Sequence, residues 1–243
     1  MPRPDLAPFI EHTLLAGAAT AADVERLCDE AVEHGFFGVC VTPARVALCR
    51  RRLDGTGVRV VSVVGFPLGA NLTTIKAVEA VRAVGDGADE LDVVAALGAL
   101  RDGAYDLVVE DICQVVRGAQ GRPVKVILET GALTEEQKRV GAALAKGAGA
   151  AFVKTSTGFG PGGATVEDVR LLRSVVGATI GVKASGGVRD AAAADALIEA
   201  GATRIGTSRG VAIVQTDAAP PASGPPVAPA AVAPHEPKGE PTR

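Results

Sequence analysis

The chain has 243 residues, 47% hydrophobic and 22% charged, a balance that suits one large globular domain or two small ones. Its net charge of −3 gives no electrostatic case for nucleic acid as the main partner. No stretch reaches the roughly 18 apolar residues of a membrane span, so no membrane partner is expected. The opening "MPRPDLAPFIEHTLL" lacks the charged, apolar and small-residue order of a signal peptide, so the expected compartment is the cytoplasm. Cys28, Cys40, Cys49 and Cys113 form no CxxC pair, and His12, His34 and His235 are scattered. Neither a metal nor another cofactor is therefore expected, and the cysteines read as small, reduced apolar residues.

In chain order, short Val- and Ile-rich runs alternate with longer Ala-, Leu- and Glu-rich segments. "FIEHTLL" (9–15) is a candidate first strand, followed by the run "FGVCVT" (37–42). Then come "VRVVSVVGF" (58–66), "ELDVVAAL" (90–97), "VKVILET" (124–130), "AAFVKTS" (150–156), "TIGVKAS" (179–185) and "TRIGTS" (203–208). Most are continuously apolar, as expected of parallel strands covered on the outside by helices. The intervening segments carry helix-start signals. Thr20 precedes Asp23, Thr134 precedes Gln137 and Thr165 precedes Asp168 by three residues, the capping-box spacing or its Asp variant. Each is followed by an amphipathic stretch that ends near a glycine.

About eight β-α units before residue 215 fit a closed (β/α)8 TIM barrel as one domain over 1–214. An open doubly wound sheet would normally show GxGxxG after its first strand, and none is present. The segment 215–243 is rich in Pro and Ala without periodicity and reads as a disordered tail.

Active sites of such barrels lie at the C-terminal ends of the strands. The ionisable residues expected there are Glu11, Asp92, Glu129, Lys154 and Lys183. Lys154 and Lys183 occupy equivalent places on consecutive strands, about 4.7–4.9 Å apart in a barrel. If both point inward, two ammonium groups in one dry cavity repel, and at least one favours the neutral amine. A neutral lysine amine attacks carbonyls and forms Schiff bases. The plainer alternative for either lysine alone is a side chain that reaches out to solvent. Lys125, at a strand start, falls at the opposite end of the barrel, with a structural or surface role expected. Asp92 is flanked by Leu91 and Val93, and a buried carboxylate there needs a partner. That partner could be a lysine held for structure, for proton transfer, or for both. Glycine-containing turns follow the last three strands at 156–160, 185–187 and 206–210, where barrels often bind phosphate through backbone N–H groups. Ser208 adds a hydroxyl and Arg209 a cation. On these residues alone, a phosphosugar isomerase or epimerase and a non-catalytic sugar-phosphate binder stay open beside a lysine-dependent aldolase.

The segments "IEHTLL", "VVSVVGFPLGANL", "ADELDVV", "VKVILETGALT", "FVKTSTGFGPGGATVEDV", "GVKASGGVRD" and "GATRIGTSRGVAI", in this order, resemble the deoxyribose-phosphate aldolase family over about residues 8–214. The resemblance implies a class I aldolase of deoxyribonucleotide catabolism. It would need no metal and would act on a sugar phosphate and acetaldehyde as a homodimer. It implies the Schiff base on Lys154, with Lys183 and Asp92 assisting proton transfer. Thr157, Gly158, Gly186, Gly187, Ser208 and Arg209 would then bind substrate and phosphate, with Glu11 and Thr13 in support. The chain departs from the family's usual residues at Glu11, Thr42, Ala96 and Phe159. It also lacks the C-terminal tyrosine that some members use in proton transfer, since its one tyrosine is Tyr105.

Overall fold

The computed structural model describes residues 2–215. The expected tail, apart from Gln215 itself, lies outside the described residues. Eight strands close into a parallel barrel in sequential order. In chain order they and their helices are β1 (Ile10–Leu14), α1 (Ala21–Glu33), β2 (Gly38–Val41), α2 (Val46–Arg52), β3 (Arg59–Val64), α3 (Thr73–Gly85), β4 (Glu90–Val94), α4 (Leu97–Arg101) and α5 (Tyr105–Gly118). The order continues with β5 (Val124–Ile127), α6 (Glu135–Gly147), β6 (Phe152–Lys154), α7 (Val166–Val176), β7 (Gly181–Ser185), α8 (Ala191–Glu199), β8 (Arg204–Thr207) and α9 (Gly210–Val214). All eight apolar runs become strands, "FIEHTLL" included. The TIM barrel inferred from the sequence is the fold observed. Among the described residues no helix is long and apolar enough to cross a membrane.

The local signals act where they were read. Thr20 and Thr134 form reciprocal capping boxes with Asp23 and Gln137, each satisfying backbone N–H groups that a helix start leaves free. Thr165 caps α7 by accepting from the Asp168 N–H, without the return bond. Most of the apolar core lies between strands and helices. It is built from residues such as Val39, Val60, Leu91, Val126, Val153, Val182 and Ile205, all fully buried. A second, small apolar cluster of Leu15, Cys40, Val61 and Val63 belongs to the first three βα units. The register sets Val61 beside Cys40 on one strand and Glu90 on the other, and Val63 beside Asp92. In-register neighbours on parallel strands point to the same face, so these apolar residues share the barrel interior with the acids of β4.

Outside the barrel, α3 and α5 are joined by a fully buried ion pair, Lys76 Nζ to Asp111 Oδ2 at 2.6 Å. The same ammonium donates to the Val94 carbonyl at 2.9 Å, and Thr73 donates to Asp111 Oδ1 at 2.9 Å. Removing the charge of one partner strands the other in a dry environment. Asp111→Asn is expected to lower stability by about 3–5 kcal/mol. A shift of the urea midpoint would show it.

Candidate active site

The barrel interior is a network of ion pairs with Asp92 at its centre. Asp92 is fully buried and accepts from three lysines. Lys125 reaches Oδ1 at 2.8 Å, and Lys154 and Lys183 reach Oδ2 at 2.9 and 2.6 Å. Lys154 and Lys183 are register partners on β6 and β7, so both side chains enter the barrel side by side. Lys154 is the last residue of its strand, whereas β7 continues two residues past Lys183 to Ser185. A Cβ at Gly206 of β8 would stand 2.9 Å from the Lys183 Cε, so only glycine there leaves the lysine its path.

Below Asp92, Glu11 accepts from Lys183, and its other oxygen lies 3.2 Å from Arg204 and 3.3 Å from Lys125. Lys125 also meets Glu90 at 2.7 Å. The surface role allowed for Lys125 is therefore corrected. It starts β5 as expected, but it is 0% exposed and structural, because its register with Asp92 turns it inward. Arg204, which sequence reasoning passed over, closes the network with its guanidinium carbon 3.2 Å from the Phe37 ring centroid. No local signal marks it, since its partners come from β1 and β4.

Electrostatics follow from this pairing. Burial alone would raise the pKa of Asp92, but the Lys125, Lys154 and Lys183 ammonium groups hold it well below the usual carboxylate range. Glu11 is likewise held low by Lys125 and Lys183 against its own burial. Burial would lower the pKa of Lys183, yet Asp92 and Glu11 raise it, so this lysine stays cationic. Of the two lysines expected to repel, Lys183 is the one that meets two carboxylates, Asp92 and Glu11. Lys154 has the one Asp92 oxygen that it shares. Glu11, Asp92 and Cys40 lie close enough together to ligate a metal ion. Lysine ammonium groups already occupy the two carboxylates.

Above Lys154 a cavity of about 500 Å³ opens at the C-terminal end of the strands. Thr13, Lys154, Thr157, Gly158, Gly186, Gly187, Ser208 and Arg209 line it, all of them expected from the sequence, together with Arg189, which was not. Arg189 stands in the "GGVRD" turn beside the expected glycines, a signal available in the sequence. Asp92, Lys183 and Glu11 lie beneath the cavity, one layer down. Among the described residues, the N–H groups of Gly158, Gly186, Gly187 and Ser208 have no protein acceptor. Thr157 differs from the expectation, because its N–H and hydroxyl both donate to Glu129 and are not open to a phosphate. Thr13 donates its hydroxyl to the Glu11 carbonyl at 2.9 Å. Phe159 covers one side of the mouth, edge-on to Phe66 with ring centroids 5.3 Å apart.

A strand-end amine that faces an open cleft and shares a carboxylate oxygen with a second ammonium suits imine chemistry on a carbonyl. On a barrel whose strand-end glycine turns leave N–H groups free at the mouth, it defines the class of a lysine-dependent aldolase. Residues 7–216 match the DeoC/LacD family aldolase, and the chain belongs to that family. It is 58% identical over 215 residues to the deoxyribose-phosphate aldolase of Thermococcus gammatolerans, covering 87% of this chain and 96% of that one. Identity to the deoxyribose-phosphate aldolase of Coprothermobacter proteolyticus is 53% over 207 residues, covering 85% and 94%. A deoxyribose phosphate aldolase from Aeropyrum pernix, described as having a unique tetrameric structure, aligns with a TM-score of 0.82 at 36% identity, covering 88% and 91%.

Proposed function

We propose that the barrel domain, residues 1–214, reversibly cleaves 2-deoxy-D-ribose 5-phosphate to acetaldehyde and D-glyceraldehyde 3-phosphate through an imine on Lys154. The observation that carries this reading is the Lys154 amine at the cavity floor, 2.9 Å from a carboxylate oxygen that it shares with Lys183. The open-chain aldehyde enters with its phosphate toward the Gly158, Gly186–Gly187 and Ser208 turns, and Arg189 and Arg209 add positive charge at that end. The Lys154 amine adds to C1 and water leaves, giving a protonated imine. Loss of the C3 hydroxyl proton breaks the C2–C3 bond and releases glyceraldehyde 3-phosphate. The electron pair is held as an enamine, C2 then gains a proton, and water frees acetaldehyde and the amine. Asp92 and Lys183 are the proton relay for these steps, since they are the ionisable pair beside Lys154. Glu11 supports the relay by holding Lys183.

Acetaldehyde followed by borohydride reduction is expected to leave a stable adduct, and peptide mapping should place it on Lys154. A label on another residue, or none in active protein, overturns the assignment. Turnover insensitive to borohydride would point instead to an isomerase on the same barrel. The family likeness supports a cytoplasmic homodimer as the working form. The Aeropyrum pernix relative shows that larger assemblies occur among similar chains, and sizing chromatography decides between them.

A further inference from the structure

Glu129 is the strand-end carboxylate that the lysine chemistry leaves unused. It follows β5 with φ 50° and ψ 63°, in the left-handed region that residues other than glycine seldom occupy. Such backbone persists where surrounding structure over-determines it, and it clusters at functional sites. The side chain is only 4% exposed. The other buried acids among the described residues, Glu11, Glu90, Asp92, Asp111 and Asp168, each meet a lysine. Glu129 meets none. Its Oε2 accepts from the Thr157 N–H at 3.2 Å and from the Thr157 hydroxyl, and its Oε1 is buried without a partner. A buried carboxylate is costly unless it is paired, so its retention here calls for a role in the turn it grips.

That turn lies directly on the Glu129 segment. A Cβ on Gly160 would stand 2.7 Å from the Glu129 Cδ, and one on Gly131 would stand 1.9 Å from the Pro161 carbonyl oxygen. A side chain at Gly131 would displace the Pro161 backbone, and one at Gly160 would press on the Glu129 carboxyl. The Thr157 hydroxyl also accepts from the Phe159 N–H at 3.0 Å. The carboxylate thus fixes Thr157, and Thr157 fixes Phe159. Between them lies Gly158, in the left-handed region with φ 84°, lining the cavity with an N–H that has no acceptor among the described residues.

We propose that Glu129 is a positioning residue for substrate phosphate. Acting through Thr157, it holds the 157–160 turn in the shape that presents the Gly158 N–H to the phosphate, and it touches no reacting atom. The inference rests on the sugar-phosphate reading above.

Glu129→Met keeps the length of the side chain and removes the acceptor, whereas Glu129→Gln keeps an acceptor oxygen. In the full chain, Glu129→Met is expected to raise KM for 2-deoxyribose 5-phosphate about tenfold, the scale of one lost charge-assisted hydrogen bond. Its kcat, and its kcat/KM for unphosphorylated 2-deoxyribose, should stay near wild type, and Glu129→Gln should restore KM. Inorganic phosphate, titrated by calorimetry without turnover, should bind about tenfold more weakly to Glu129→Met. Equal losses on both sugars, or unchanged KM and phosphate affinity, overturn the proposal. Should Glu129→Met fail to fold, Thr157→Val removes the hydroxyl end of the same contact and must weaken phosphate binding by itself. The calorimetric arm separates the two readings. Phosphate affinity that tracks position 129 in a protein without borohydride trapping would leave this inference standing and remove the aldolase assignment.

Discussion

Replacing Lys154 with methionine is expected to abolish turnover, by about 10⁴-fold or more, the scale on which covalent nucleophiles fail. No other described amine can take its place. Lys183 is held by Asp92 and Glu11, and Lys125 by Asp92, Glu90 and Glu11, below the cavity. The fold should survive, because Asp92 keeps two ammonium partners after Lys154 is gone. Circular dichroism and the urea midpoint should therefore stay near wild type while retro-aldol rate and borohydride trapping vanish together. Residual turnover within about tenfold of wild type would end the Lys154 assignment.

Asp92→Asn is expected to be doubly damaging. Turnover should fall about 10²- to 10⁴-fold, the contribution of a positioned acid-base group. Lys183→Leu should fall in the same range, since it removes the other half of the relay. Stability should drop by about 3–5 kcal/mol in Asp92→Asn, because Lys125 and Lys183 lose a buried counter-charge. The pH dependence follows from the shifts. Asp92 is held low in the folded state, so its contribution is present above about pH 3.9, the unfolded carboxyl value, and is lost as pH falls through the folded value. Lys125 and Lys183 are raised, so theirs is full below about pH 10.4 and is lost as pH rises through their folded values. The network therefore contributes a plateau from about pH 4 to about pH 10. In Asp92→Asn its alkaline edge should move to lower pH, since Glu11 is then the nearest remaining carboxylate for Lys183. Urea midpoints across that pH range check this, and an unmoved edge would contradict the network account.

The interaction pattern explains how much of this was legible. Lys154 and Lys183 were readable as a pair because each follows an apolar run on consecutive parallel strands, and strand periodicity carries them to the same face. The glycine turns were readable because their composition marks them and barrel geometry places them at the mouth. Lys125 looked like a strand-start residue because nothing near it in sequence reports its partners. Asp92 gathers lysines from 33, 62 and 91 residues away. Arg204 finds Glu11 at a separation of 193 residues. Thr157 read as a phosphate donor because its position in the motif says nothing about Glu129, 28 residues earlier, which takes both of its hydrogens.

By itself the sequence determined the order and type of the elements, through the length and periodicity of its apolar runs and the hydroxyl caps between them. It also marked Lys154, Lys183 and Asp92 as candidates for one inward-facing cluster, because strand periodicity can carry all three to the barrel's inner face. Only the tertiary structure decided how many carboxylates each lysine meets, since that depends on which side chains the closed barrel brings within a few ångströms. It alone decided which backbone amides remain free at the mouth, because the Glu129 contact that takes those of Thr157 exists only once β5 and β6 lie side by side.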